Sequence, residues 1–174
     1  MRKTLSIICF LVLTIYTNIG FAQIESDGSM IISGHVGRLL PNQVPNVTEI
    51  LPLWGLRLGF PMDGGGTFEV GNISGNGEGA KWNSIYMSLR GDMQIEDLTG
   101  IVYFGADAYR YEGTNQEVTT VGGGHLGGGV LSSVGQFVKL RIDMKFNINP
   151  GTSLYFGIGF MFGGATSGGG PGGR

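Results

Sequence analysis

Cysteine is almost absent: the 174-residue chain has one, Cys9, within an apolar run near its start. That excludes a disulfide-stapled domain, an iron–sulfur cluster and cysteine-ligated zinc. Charge is scarce too, with Asp, Glu, Lys and Arg at 14% against about a quarter in ordinary globular chains. The balance is slightly acidic, −2 at pH 7, which argues against a basic nucleic-acid binder, so no nucleic-acid partner is expected. Histidine is limited to His35 and His125, without a second histidine or carboxylate at metal-ligand spacing, and neither a metal site nor a cofactor is expected. Helical periodicity is missing as well. The chain carries 34 glycines, each costing about 1 kcal/mol relative to alanine in a helix interior, and no long stretch repeats apolar residues at helical spacing. The glycines do not recur every third residue, which excludes collagen. A hydrophobic content of 41% excludes wholesale disorder. A β-rich protein remains.

What is present begins with an export pattern. Met1-Arg2-Lys3 is a short basic start, residues 5–15 are mostly apolar, and Gly20-Phe21-Ala22 places small residues where a signal peptidase cuts. Residues 1–22 are therefore expected to be a cleaved signal peptide. Removing them leaves 174 − 22 = 152 residues and 9 basic against 13 acidic side chains, about −4. Thr14, Thr17 and Asn18 interrupt the apolar run before the roughly 20 residues that a spanning helix needs. A small exported domain without disulfides needs another source of stability, and closing a sheet on itself is one.

The clearest pattern lies near the C-terminus. In V-K-L-R-I-D-M-K-F-N-I, residues 138–148, every second residue is apolar, with Lys139, Arg141, Asp143, Lys145 and Asn147 between them. After Asn149-Pro150-Gly151, residues 152–162 alternate again, with Leu154, Phe156, Ile158, Phe160 and Phe162 on one face and Tyr155, Gly157, Gly159 and Met161 on the other. A three-residue loop pairs residues whose numbers sum to 300, so Ile142 meets Ile158, Arg141 meets Gly159 and Asp143 meets Gly157. Long charged side chains then face residues that have none, as in the crowded interior of a small barrel. Each run has about the 10 residues that a tilted strand needs to cross a bilayer.

The rest of the chain fits the same template. Outward positions are Met30, Ile32 and Val36; Trp54, Leu56, Leu58 and Phe60; Phe68 and Val70; Ile85, Met87 and Leu89; Val102, Phe104, Ala106 and Ala108; and Leu126 and Val130. Ser33, His35, Arg57, Glu69, Tyr86, Arg90, Tyr103, Asp107, Tyr109 and His125 face inward. Residues 41–52, 75–81 and 112–119 read as loops, and Asp63-Gly64-Gly65-Gly66 as a tight turn. The count is eight strands, the smallest number used by transmembrane barrels. The expected fold is all-β, a closed antiparallel up-and-down transmembrane β-barrel over residues 23–162, followed by a flexible Gly-rich tail at 163–174.

In this pattern the sequence resembles the small eight-stranded outer-membrane β-barrels of Gram-negative envelopes, the OmpA/OmpX-like architecture. Such barrels end with a large polar or aromatic residue, a glycine two on, and alternate hydrophobic residues, the last aromatic; Tyr155, Gly157, Phe160 and Phe162 stand in those places. The resemblance implies location in the outer membrane after export, membrane lipids and the barrel-assembly machinery as partners, and recognition of these four residues during assembly.

Chemistry-bearing arrangements are few. Residues 122–129 are glycine-rich, but no Gly-Lys-Ser/Thr follows to make a phosphate cradle, and no G-x-S-x-G elbow occurs. His125 with Ser132 or Ser133 is the one enzymatic pairing to weigh, that of a lipid-modifying barrel enzyme, and the expected answer is that the protein is not an enzyme. The inward charges form a set: Arg57, Arg90, Lys139, Arg141 and Lys145 against Glu69, Asp107 and Asp143. They are expected to pair and plug the lumen of a structural or surface-interaction barrel whose loops offer sites for an unidentified surface ligand. The alternatives are a narrow, weakly anion-preferring channel and a soluble exported β-sandwich or lipocalin-like carrier.

Overall fold

Alternation along each segment builds one continuous sheet. In a computed structural model, residues 30–163 are described except 46, 64, 78, 114–116, 136 and 150. The expected signal peptide and, apart from Gly163, the Gly-rich tail lie outside the described residues. Eight strands follow one another: β1 (Ile31–Asn42), β2 (Leu51–Pro61), β3 (Thr67–Asn76), β4 (Lys81–Ile95), β5 (Leu98–Glu112), β6 (Thr119–Ser133), β7 (Val138–Asn147) and β8 (Thr152–Phe162). Each pairs antiparallel with the next, and β8 pairs back with β1 to close the barrel. The described residues contain no helix.

Closure fixes the dimensions. Following lateral pairs from Ile31 through Gly59, Glu69, Ser88, Gly105, His125, Asn147 and Ser153 returns to β1 at Pro41, ten residues further along. With about 3.3 Å per residue and about 4.8 Å between strands, that stagger over eight strands gives a tilt of about 41° and a backbone radius of about 8 Å. Such an interior holds side chains and little else.

The β7–β8 register is the one the three-residue loop demands, with Arg141 against Gly159 and Asp143 against Gly157. The strands run further than the loop signals imply. Prolines 41 and 52 suggested a loop over 41–52, yet β1 continues to Asn42 and β2 starts at Leu51. Pro41 lies past the last β1 residue paired with β2, Pro52 outside the β2–β3 ladder, and Pro61 outside the β1–β2 ladder. Each proline thus sits where its strand has one neighbour, and a missing N–H is tolerated there. The other two expected loops shrink likewise, to residues 77–80 and 113–118. At the turn between β2 and β3, Gly65 and Gly66 adopt φ of 91° and 107°, which side-chain-bearing residues avoid.

Burial is inverted relative to a soluble protein. Leu56 is 59% exposed, Ile85 58% and Ile142 47%, while Arg141 is 2% exposed. A continuous apolar exterior of this kind is what a bilayer solvates. Along β7 and the residue after it, the apolar row from Val138 to Ile148 spans ten residue steps, about 25 Å at the tilt above, the height of the apolar band of a transmembrane barrel. The soluble sandwich would need a second sheet and the lipocalin-like carrier an apolar cavity. The single closed sheet with charges inside provides neither.

Candidate functional site: the lumen

The lumen is filled in three layers. At the end where both termini of the barrel lie, Ile31, Ile101, Tyr103, Leu131 and Met161 form an apolar cluster. At the other end Leu39, Leu51, Leu53, Ile73, Trp82, Tyr109 and Tyr111 form a larger one, and the β1–β2 connection folds Val44 and Val47 into it. The Trp82 ring stacks on Tyr111, centroids 5.8 Å apart, which closes the mouth with flat rings.

Between these clusters lie the charges. Glu69 Oε1 accepts from Arg90 Nη1 at 2.5 Å and from Arg141 Nη1 at 2.7 Å, while Arg57 Nε lies 3.7 Å from Oε2. Asp143 Oδ2 accepts from Arg141 Nε at 2.8 Å, from Arg57 Nη1 at 3.3 Å and from the Tyr103 hydroxyl at 3.3 Å. Arg57 Nε also donates to the Tyr86 hydroxyl at 2.7 Å. Asp107 is held by Lys145 Nζ and His125 Nδ1 and accepts from Ser84 Oγ at 3.0 Å. Arg90 grips Asp92 with two bonds, Nε to Oδ1 at 2.7 Å and Nη2 to Oδ2 at 2.9 Å. Aromatic faces cover the cations, with Lys145 Nζ 4.2 Å from the Tyr86 ring centre and the Arg141 guanidinium 5.3 Å from that of Tyr103.

Seven of the eight charges read from the sequence meet here. Lys139 does not: half-buried toward the terminal end, it makes no ion pair among the described residues. Asp92, which the sequence reading missed by ending its strand at Arg90, takes part instead. The signal was available, since the inward row of β4 continues from Ser84 through Arg90 to position 92. Losing one cation and gaining one carboxylate matters. Four cations (Arg57, Arg90, Arg141, Lys145) now face four carboxylates (Glu69, Asp92, Asp107, Asp143), and the cationic excess behind an anion-preferring channel disappears.

Glycine provides the space. A Cβ on Gly71 would strike the Tyr86 ring, one on Gly127 the Tyr103 ring, and one on Gly105 the His125 ring, so large inward side chains lie over bare backbone on neighbouring strands. On β1 and β8, beside the strands that carry Arg57, Arg141 and Asp143, Ser33 Oγ, both His35 nitrogens and the Tyr155 hydroxyl are buried without hydrogen-bond partners, and His35 meets Tyr155 edge-on at 5.9 Å. No group of three His, Cys, Asp or Glu side chains placed to hold a metal occurs among the described residues.

His125 does not meet Ser132 or Ser133. Its Nε2 lies 2.9 Å from Ser88 Oγ and its Nδ1 against Asp107. The order serine, histidine, aspartate is that of a hydrolytic triad. The Tyr86 and Tyr103 rings flank the imidazole, all three triad-like residues are buried, and Asp107 is shared with Lys145. Of the assembly residues, Tyr155 and Gly157 point into the lumen, and Phe160 and Phe162 point outward, each about half exposed.

No family profile matches the chain, and no curated protein matches it by sequence. Solved structures do match by shape. The N-terminal β-barrel domain of Pseudomonas aeruginosa OprF superposes with a TM-score of 0.64 at 11% identity, covering 79% of this chain and 98% of that one. This chain has the fold of the small eight-stranded outer-membrane β-barrels. The barrel is also similar to Neisserial surface protein A, with a TM-score of 0.62, 13% identity, and coverage of 76% and 94%. The outer membrane enzyme PagL aligns at a TM-score of 0.53 with 10% identity, over 76% of the barrel's chain and 99% of its own. An enzyme thus occurs among proteins of this shape, and the fold by itself leaves activity open.

Proposed function

We propose that the protein is an integral outer-membrane barrel that acts as an envelope structure with an occluded lumen, and that it is neither a channel nor an enzyme. One observation carries this reading: the lumen is filled along its length, two apolar clusters flanking a layer of equal and opposite charges. A conduit needs a continuous polar path, which the folded-in Val44 and Val47 and the opposite Ile101–Met161 layer interrupt. An acyl-transfer site needs room beside its serine, and Ser88 is enclosed by the layer it belongs to. Connections between strands are short where both termini lie, with the β4–β5 turn only two residues long, and reach eight residues at the other end, over 43–50. Longer loops mark the cell-surface side of such barrels. Surface contacts would fall on that end, at residues 43–50, 77–80 and 113–118; of the first, Val44 and Val47 fold into the mouth and Gln43, Thr48 and Ile50 stay exposed.

Planar-bilayer recording of the refolded full chain tests the reading, with a heat-modifiability gel on the same sample reporting insertion. Inserted protein should give no large steady current steps. Steady ion-selective steps would overturn the occluded lumen in favour of a channel.

A further inference from the structure

On the outside of the barrel, near the mouth, β3 and β4 carry a polar ring above the apolar row of Leu58, Val70, Met87 and Ala106. Asn72 Nδ2 donates to Asn83 Oδ1 at 3.4 Å, Asn83 Nδ2 to Ser74 Oγ at 2.6 Å, and Ser74 Oγ to Asn72 Oδ1 at 3.0 Å. Every side-chain oxygen of the ring accepts a bond, while Asn83 keeps an amide hydrogen to offer. Opposite Asn83 in register stands Arg110 of β5, exposed and without an ion pair or hydrogen bond among the described residues. Two pairs nearer the rim, on the same outward face, Lys81 Nζ lies 3.1 Å from Glu112 Oε2. Ser74, Asn83, Arg110, Lys81 and Glu112, with Trp54, line an outward-open cavity of about 600 Å³.

Its height on the wall decides what it meets. Trp54 pairs with Ser74, Ser74 with Asn83 and Asn83 with Arg110, a ladder row that the strand tilt lifts by about 3 Å per strand toward the mouth, so Arg110 stands highest; the next outward row below it runs through Leu56, Asn72, Ile85 and Ala108. A charged side chain near the rim directly above Ala108, with a tryptophan lower in the same ladder row, marks the border between hydrocarbon and headgroups. Lys81 is balanced by Glu112, so Arg110 leaves the cleft one positive charge in excess. Below it, Ala108 pairs with Gly122 and Ala106 with Gly124, so the lipid face under Arg110 is shallow.

We propose that this cleft holds the phosphate-bearing headgroup of an anionic membrane lipid, with Arg110 as the main contact, Asn83 and Lys81 as further donors, and an acyl chain lying over Ala108 and Ala106. A guanidinium matches two phosphate oxygens with two parallel N–H bonds, and the ring's own oxygens are already occupied. The proposal rests on the membrane reading above.

The full chain is refolded into vesicles of equal phosphatidylglycerol and phosphatidylcholine, extracted, and the retained lipid read by native mass spectrometry. Wild type is expected to retain phosphatidylglycerol several-fold over phosphatidylcholine. Arg110→Gln should abolish the preference. Glu112→Gln, which frees Lys81, should keep or strengthen it, and Arg38→Gln, an outward cation outside the cleft, should leave it unchanged. Equal retention by wild type, or a preference that survives Arg110→Gln, overturns the site. Displacement of the lipid by excess inorganic phosphate assigns the contacts to free phosphate and overturns the lipid as occupant. Heat modifiability of the same samples separates the two levels: a chain that inserts without preference sinks the cleft alone, and one that never inserts sinks the membrane reading with it.

Discussion

Ser88 Oγ lies 2.9 Å from His125 Nε2, two strands away across the lumen wall, and Asp107 holds the other nitrogen of the same ring. In an open cleft this arrangement would activate the serine; here it is one link of a closed polar layer. A fluorophosphonate probe should therefore leave Ser88 unmodified in the folded barrel, as peptide mass mapping would show. Ser88→Ala should cost about 1 kcal/mol in unfolding free energy, the worth of one neutral hydrogen bond. A stoichiometric adduct on Ser88 would revive the enzymatic reading.

Glu69 gathers three guanidinium groups, from Arg57, Arg90 and Arg141, in a space with no water-facing side. Glu69→Gln keeps the shape and removes the charge, leaving the cations in excess. The expected loss is about 3–5 kcal/mol, as for breaking a buried ion pair. Lys81→Gln, which breaks an exposed pair on the rim, should cost about 0–1 kcal/mol. Urea titrations of the two variants in the same bilayer, followed by tryptophan fluorescence, make the comparison.

Ile142 and Arg141 are sequence neighbours on opposite faces, 47% and 2% exposed. Ile142→Lys should destabilise by about 2–4 kcal/mol near the bilayer midplane. Arg141→Leu should also destabilise, through Glu69 and Asp143 losing a shared partner. If Ile142→Lys inserts as well as wild type, the exterior is not facing lipid.

Phe162 is in register with Ile32 of β1 and Val138 of β7, at the seam where the last strand meets the first. An open edge would leave backbone groups unpaired in hydrocarbon, each costing several kcal/mol. Phe162→Ala is expected to lower outer-membrane abundance strongly at matched expression, whereas deleting residues 163–174 should change it little. The membrane fractions of the two variants decide; a more damaging deletion would give the tail a role in structure or targeting.

Strict alternation in residues 138–162 determined the last hairpin, its register and both of its faces, because a period of two leaves one way to place eleven successive residues on a pleated strand. Composition, with a single cysteine, then pointed to closure of the sheet in place of disulfide staples. Element ends were not legible: Pro41 and Pro52 look like loop residues in the sequence and become strand residues because barrel stagger gives them a free edge. Membership of the charged layer was only partly legible. Alternation states that a side chain points inward but not at what height, and height is set by the ten-residue stagger, which leaves Lys139 apart; Asp92, two residues from Arg90 on the same face of β4, escapes a reading that ends the strand too early. The Ser88–His125–Asp107 contact and the Asn72–Ser74–Asn83 ring have no sequence signature, because each joins residues of different strands whose relative heights exist only once the barrel has closed.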